Sequence, residues 1–147
     1  MKGPYLNDWH HLRMNLLHVS GWLRAEINQV LEPFDLTQPQ FNILRILRGQ
    51  HGQGISTQEI RARMVDSKMS DTSRLVDRLA AKGLVAKSAC QADKRLVDVV
   101  ISAQGLAVLS QIDTQMNALD DILKSITAEE AQVLNRLLDK LSAAATA

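Results

Sequence analysis

Apolar residues recur at steps of three and four along most of this chain, and that period breaks in one short stretch. From Leu6 to Leu31 the stripe Trp9, Leu12, Leu16, Val19, Leu23, Ile27 and Val30, widened by Met14, Leu17 and Trp22, predicts a long amphipathic helix ended by Pro33. It is too apolar to be covered from one side only. Thr37 and Gln40 form a capping box around Pro39 and open a second helix through Phe41, Ile43, Leu44, Ile46 and Leu47 to Gly49. The glycines between Gly49 and Gly54 read as a connector, because no Lys-Ser/Thr follows and no strand precedes, as a phosphate-cradling loop would need. Ile55 can make a single bridging strand, and Ser56 with Glu59 is a second capping box, starting a helix through Ile60 and Met64.

The stretch from Ser70 to Arg95 is where the period changes. Ser70 can cap a helix of about three turns that Gly83 ends. Leu75, Val76 and Leu79, with Thr72 one turn earlier, lie on or near one face; Ser70, Asp71, Ser73, Arg74, Asp77 and Arg78 lie largely on the other. An extended run from Leu84 to Ser88, a polar tip from Ala89 to Arg95 and the β-branched run Val97, Val99, Val100 and Ile101 follow. With the preceding helix and the turn from Val65 to Met69, this is the outline of a helix-turn-helix followed by a β-hairpin wing. Beyond it, Ser102 can cap a helix whose Leu109, Ile112, Met116, Leu119, Leu123 and Ile126 make a heptad seam. Thr127 and Glu130 cap a last helix bearing Val133, Leu134, Leu137, Leu138 and Leu141.

The expected fold is therefore mainly α with a small β-hairpin: a winged helix-turn-helix flanked by N- and C-terminal dimerisation helices. The organisation that follows is an N-terminal helix of the dimerisation region at 1–35, a winged lobe at 36–101 and C-terminal dimerisation helices at 102–147. The end helices carry more apolar surface than a compact winged helix can cover, so a two-fold homodimer is expected to bury the excess.

Composition narrows the class. With 147 residues, of which 46% are apolar, one core is the prior, and few aromatics contribute to it. No apolar run approaches a membrane span and the N-terminus lacks a signal-peptide core, which predicts a cytoplasmic protein. Cys90 is the single cysteine, so no internal disulfide is possible. The net charge of +1 hides an asymmetry: residues 56–95 carry nine Lys/Arg against five acids, and residues 96–147 carry three against seven. A basic middle and an acidic end suit a protein that offers one face to a polyanion such as double-stranded DNA.

The candidate contacts follow from that placement. Ser70, Asp71, Thr72, Ser73 and Arg74 occupy the turn that would enter a major groove, where hydroxyls suit base edges or phosphates and arginine suits guanine; Lys68 and Arg78 extend the set. Asp71 can instead favour the helix N-terminus through the dipole. Arg95, with Asp93 orienting it, is the candidate for the minor groove, and Lys87 and Lys94 for phosphates. Trp9, His10, Met14, His18 and Trp22 form an aromatic and polar cluster on the first helix that could line an effector pocket or simply be core or dimer interface. No His/Cys/Asp spacing closes a metal site, no cofactor motif is present, and nothing pairs a nucleophile with a positioned base, so an enzyme is not expected.

Taken together, Leu36-Thr37 with Gln40-Phe41, the run from Arg74 to Leu79 followed by Lys82 to Val85, Asp93-Lys94-Arg95, and Ser102 with Gly105 resemble the MarR family of winged helix-turn-helix transcriptional regulators. The resemblance implies a homodimeric repressor reading a pseudo-palindromic operator, often released by a small, frequently aromatic, ligand, with the wing arginine at Arg95 and Asp93 as its neighbour. Ser102 stands where the family usually has Thr, and Thr72 where an apolar residue is commoner. Two other readings are a winged helix used for protein–protein interaction and a redox-responsive repressor switched through Cys90, whose thiolate nearby cations would favour.

Overall fold

A computed structural model describes residues 5–64, 71–89 and 97–146. Helix α1 spans Asp8–Leu31; Asn7 caps it, its side-chain oxygen accepting from His10 N at 2.8 Å. Pro33 tightens the exit into one 3₁₀ turn, Glu32–Phe34, and Asp35 in the left-handed region (φ 53°) turns the chain into α2, Gln38–Arg48. Both halves of the expected capping box are made: Thr37 Oγ1 accepts from Gln40 N at 3.3 Å, and Gln40 Oε1 accepts from Thr37 N at 3.1 Å. The glycine-rich connector leads to β1, Ile55–Ser56, and then to α3, Thr57–Arg63. Here only half of the box forms. Ser56 Oγ accepts from Glu59 N at 3.1 Å, but the Glu59 carboxylate turns along the helix to Arg63 Nε, 2.9 Å away.

Helix α4, Thr72–Ala81, ends as its sequence demands. Gly83 takes φ 77°, its N–H donates to Ala80 O and that of Leu84 to Leu79 O, the paired bonds of a Schellman stop. Strands β2, Val85–Ala89, and β3, Val97–Ile101, pair antiparallel from Val85 with Ile101 to Ala89 with Val97. Strand β1 joins the other edge of β3 through Ile55–Val99 and Ser56–Asp98, so the hairpin grows into a three-stranded sheet in the order β1-β3-β2. Ser102 then serves twice: its Oγ accepts from Gly105 N at 3.0 Å to cap α5, Ala103–Leu119, and donates to Gly83 O at 2.6 Å. This ties the start of α5 to the end of α4.

One core holds these elements together. It gathers Leu31 of α1, Phe41, Ile43, Leu44 and Leu47 of α2, Ile60 of α3, Val76 and Leu79 of α4, Val85, Val99 and Ile101 of the sheet, and Leu109 and Ile112 of α5. Each fully buried Leu or Ile contributes roughly 2 kcal/mol of burial free energy.

The heptad seam requires correction. Helix α5 stops at Leu119, a 3₁₀ turn Asp120–Leu123 intervenes, and α6 starts afresh at Ala128 and runs to Ala145. Two aspartates at a helix C-terminus oppose its dipole, and the Thr127–Glu130 capping box, complete in the structure, starts a new helix instead. In that turn Lys124 pairs with Asp121 at 2.6 Å, and this hydrogen bond holds its ammonium above the usual lysine range. Leu109 and Ile112 are spent on the protomer's own core, while Leu123 and Ile126 are exposed.

Among the described residues, α6 buries none, and Val133, Leu134, Leu137 and Leu141 all stand exposed. Leu6, just before α1, and Trp9, Leu12, Leu16, Leu17, Val19 and Trp22 on it are exposed as well. No helix among the described residues is long and apolar enough to cross a membrane.

A candidate nucleic-acid interface on helix α4 and strand β2

Helix α4 has two faces because its sequence has two periods of polarity. Val76 and Leu79 are fully buried, Leu75 is half-buried, and Ser73, Arg74, Asp77 and Arg78 are exposed one turn apart on the opposite side. Arg74, with 73% of its side chain exposed, lies 3.6 Å from Asp71. The first turn differs from expectation in two respects. Asp71 caps α4, its Oδ1 accepting from Arg74 N at 3.3 Å; Ser70 lies outside the described residues. Either residue type can cap, and the one nearer the helix does so.

The second difference is a correction: Thr72 was placed both on the apolar side and among the groove contacts, and it is 3% exposed. Its hydroxyl therefore faces the core side of the helix, where its Oγ1 finds no hydrogen-bond partner among the described residues.

Strand β2 runs beside α4, with Val85 buried and Ala86, Lys87, Ser88 and Ala89 exposed. Lys87 reaches across to Asp77, forming an ion pair between strand and helix. At the far end of α4, Lys82 donates to Asp35 O and sits 3.4 Å from its carboxylate. The exposed cations expected on this face, Arg74, Arg78 and Lys87, are thus brought together on one side of the lobe, interleaved with Asp71 and Asp77. Lys68, Asp93, Lys94, Arg95 and Cys90 lie outside the described residues.

Sequence reasoning assigned Asp77 to the polar face without giving it a partner. The partnership depends on the turn at Gly83, which folds β2 back along α4 and makes neighbours of residues ten apart. Gln38 was also missed: its Nε2 donates to Arg24 O at 3.1 Å and Asn28 Oδ1 at 3.0 Å, strapping α2 to α1. Arg48 likewise ties α2 to α5 through Asp113, at 2.7 Å and 3.5 Å.

The cluster on α1 lies along the helix surface of the described protomer. Trp9 and Trp22 are exposed, His18 is exposed, and His10 and Met14 are half-buried along successive turns. Tyr5 stacks on His11 with ring centroids 4.0 Å apart and meets His10 edge-on at 5.6 Å. The end of α1 that meets the lobe is instead Ile27 to Leu31, about 30 Å along the helix from Trp9 at 1.5 Å per residue. There an open cleft of about 1070 Å³ runs between α1, α2 and α4. Leu36, Pro39, Met64 and Ala81 supply apolar lining, and Arg24, Arg78 and Lys82 are its cations.

Residues 36–97 match the model of the MarR family. Over 127 residues the chain is 29% identical to an HTH-type transcriptional repressor of Mycobacterium tuberculosis, covering 86% of this chain and 89% of that one. It also superposes on a cysteine-to-serine variant of MarR from E. coli, solved in complex with operator DNA. The TM-score is 0.81 at 26% identity, over 95% of this chain and 99% of that one. A similar likeness, TM-score 0.82 at 24% identity over 96% and 85% of the two chains, relates it in fold to the organohalide-sensing regulator RdhR in its 2,4-dichlorophenol-bound form. The match over residues 36–97 and the shared fold over 95% of the chain are what make this chain similar to MarR-family transcriptional regulators.

Proposed function

We propose that this chain is a MarR-type regulator, a homodimeric repressor that reads a pseudo-palindromic operator with the exposed face of α4. The observation that carries the reading is the division of α4: Val76 and Leu79 anchor it in the core while Ser73, Arg74 and Arg78 are presented outward, with β2 alongside. In a major groove those side chains can reach base edges and phosphates, arginine pairing best with guanine. Lys68 and Ser70 extend this contact, and Arg95, oriented by Asp93, with Lys87 and Lys94, supplies the wing's grip on minor groove and backbone. Asp71 acts by capping α4. The likeness to MarR held on operator DNA supports the same use of the helix here.

Dimerisation accounts for the exposed apolar faces of α1 and α6, which no part of the described protomer covers. Two α4 helices held about 34 Å apart then meet successive turns of one DNA face. The reading includes release by a small aromatic ligand, for which the cleft between α1, α2 and α4 offers apolar lining and a rim where Arg24, Arg78 and Lys82 alternate with Glu32 and Asp35.

Selection from random DNA followed by anisotropy titration tests the main reading. A palindromic consensus should emerge, Arg74→Ala and Arg95→Ala should each weaken its binding at least about tenfold (roughly 1.4 kcal/mol) without lowering the melting temperature, and affinity should fall steeply with salt. Recovery of no consensus, with heparin and duplex DNA both left unbound, would instead favour a protein-docking module.

A further inference from the structure

We propose that Asp77 is an internal stand-in for a DNA phosphate: it holds Lys87 in the free protein and so limits how tightly the regulator grips DNA of arbitrary sequence. The inference rests on the DNA-binding reading and adds to it a residue that restrains binding. Asp77 sits on the outward face of α4, one turn beyond Ser73 and beside Arg78, with 60% of its side chain exposed. The other acid on this face, Asp71, has structural work to do, since it caps the helix. Asp77 caps nothing, and its one hydrogen-bond partner among the described residues is the Lys87 ammonium.

The chemistry of that pair is what gives Asp77 its role. A carboxylate oxygen accepts from an ammonium as a phosphate oxygen does, so the pair is the contact Lys87 would make with a DNA backbone, satisfied in advance within the protein. Approach of any duplex must either break or share it, and must bring phosphates toward the Asp77 charge. Both effects oppose backbone-driven binding whatever the base sequence. Base-edge contacts from the first turn of α4 are untouched by them. A negative charge on a polyanion-binding face therefore weakens non-specific binding more than operator binding, which is how a repulsive element produces specificity. The exposed pair contributes little to stability, so its removal is a clean perturbation.

The test uses the full chain and a fluorescent 30-base-pair random-sequence duplex, titrated by anisotropy at several salt concentrations, with wild type, Asp77→Asn, Lys87→Gln and the double variant. Asp77→Asn should bind random DNA at least about threefold more tightly and steepen the salt dependence by about 0.9 in log–log slope, as one more cation is committed to phosphate. Lys87→Gln should leave the slope near that of wild type, since Asp77 already holds this cation, and the double variant should lose the gain of Asp77→Asn. Once the selected operator is in hand, its affinity should rise less than that of random DNA. The inference is overturned if Asp77→Asn binds equally or more weakly, which would make Asp77 merely the pin fastening β2 to α4, or if its gain survives in the Lys87→Gln background. Failure of wild type to bind random DNA in a salt-dependent way would sink the DNA reading itself, a result distinct from either.

Discussion

Thr72→Val should make the protein more stable and leave DNA binding unchanged. The Thr72 hydroxyl is buried at the first position of α4 with no hydrogen-bond partner among the described residues, beside the core that holds Val76 and Leu79. A buried polar group in that condition forfeits its hydration for nothing, a cost of about 1–3 kcal/mol. Valine puts a methyl group where the hydroxyl sits, keeps the branched shape and has a similar helix propensity. The expected gain is therefore about 1–2 kcal/mol, the lower part of that range, because a methyl fills a site shaped for oxygen imperfectly. For a chain of this size that is a rise in melting temperature of about 2–8 °C. The assay is thermal and chemical denaturation followed by circular dichroism at one fixed protein concentration, since dimer dissociation would otherwise shift the transition by mass action. Anisotropy with duplex DNA is run in parallel. A lower melting temperature would mean that the hydroxyl is satisfied in the folded protein, and weakened DNA binding at undiminished stability would return Thr72 to the groove.

Gly105→Ala should be severely destabilising, by about 3 kcal/mol or more, because the new methyl would lie 2.3 Å from Leu84 O and 2.7 Å from Ile101 Cγ1. Leu84 O is held in place by the Ser102 N–H at 3.0 Å, so the backbone cannot simply yield; a denaturation midpoint equal to wild type would contradict this. Gly83→Ala forces a Cβ into the left-handed region at φ 77°, and a loss of about 1 kcal/mol in urea unfolding is expected. Leu137→Glu, on the exposed apolar face of α6, should shift sedimentation toward the monomer and abolish tight operator binding while leaving helical content intact. A dimer of undiminished strength would place the interface elsewhere.

The features legible in the sequence were those decided locally. Thr37, Ser56, Ser102 and Thr127 all cap the helices expected of them, because capping needs only a side-chain oxygen and the next turn's free N–H groups. Gly83 ends α4 for an equally local reason. What could not be read is which partner an apolar face meets. Leu109 and Leu123 belong to one heptad pattern, yet one is core and the other is exposed, since period alone does not distinguish a protomer's own core from an interface. Thr72 shows the same ambiguity at one residue, fitting both the apolar stripe and the hydroxyl-rich turn. The Asp77–Lys87 pair, the Gln38 strap and the Arg48–Asp113 pair all join separate elements, and nothing in the local sequence marks them.

These ties decide how a change at the end helices can reach α4. Two kinds of connection join the end helices to the lobe: polar links, namely Gln38 to α1 and Arg48 to Asp113, and the shared core in which Leu31, Leu109 and Ile112 pack with residues of α2 and α4. The Arg48–Asp113 pair is about two-fifths exposed on both sides, and an exposed pair contributes at most about 1 kcal/mol. The three buried side chains contribute roughly 2 kcal/mol each, several times more. Melting the junction is therefore the costlier route, and tilting the lobe with its end helices as one body is the cheaper. In the proposed dimer, α4 moves with α2, which packs on α1 and α5, so a ligand wedged between α1 and α4 would act by changing the distance between two α4 helices. Arg48→Ala should accordingly leave both stability and ligand response nearly intact, whereas Ile112→Ala, which loosens the shared core, should lower stability by about 2–5 kcal/mol and blunt the response. Full ligand response in an Ile112→Ala protein that remains folded would show that the signal does not travel through the core.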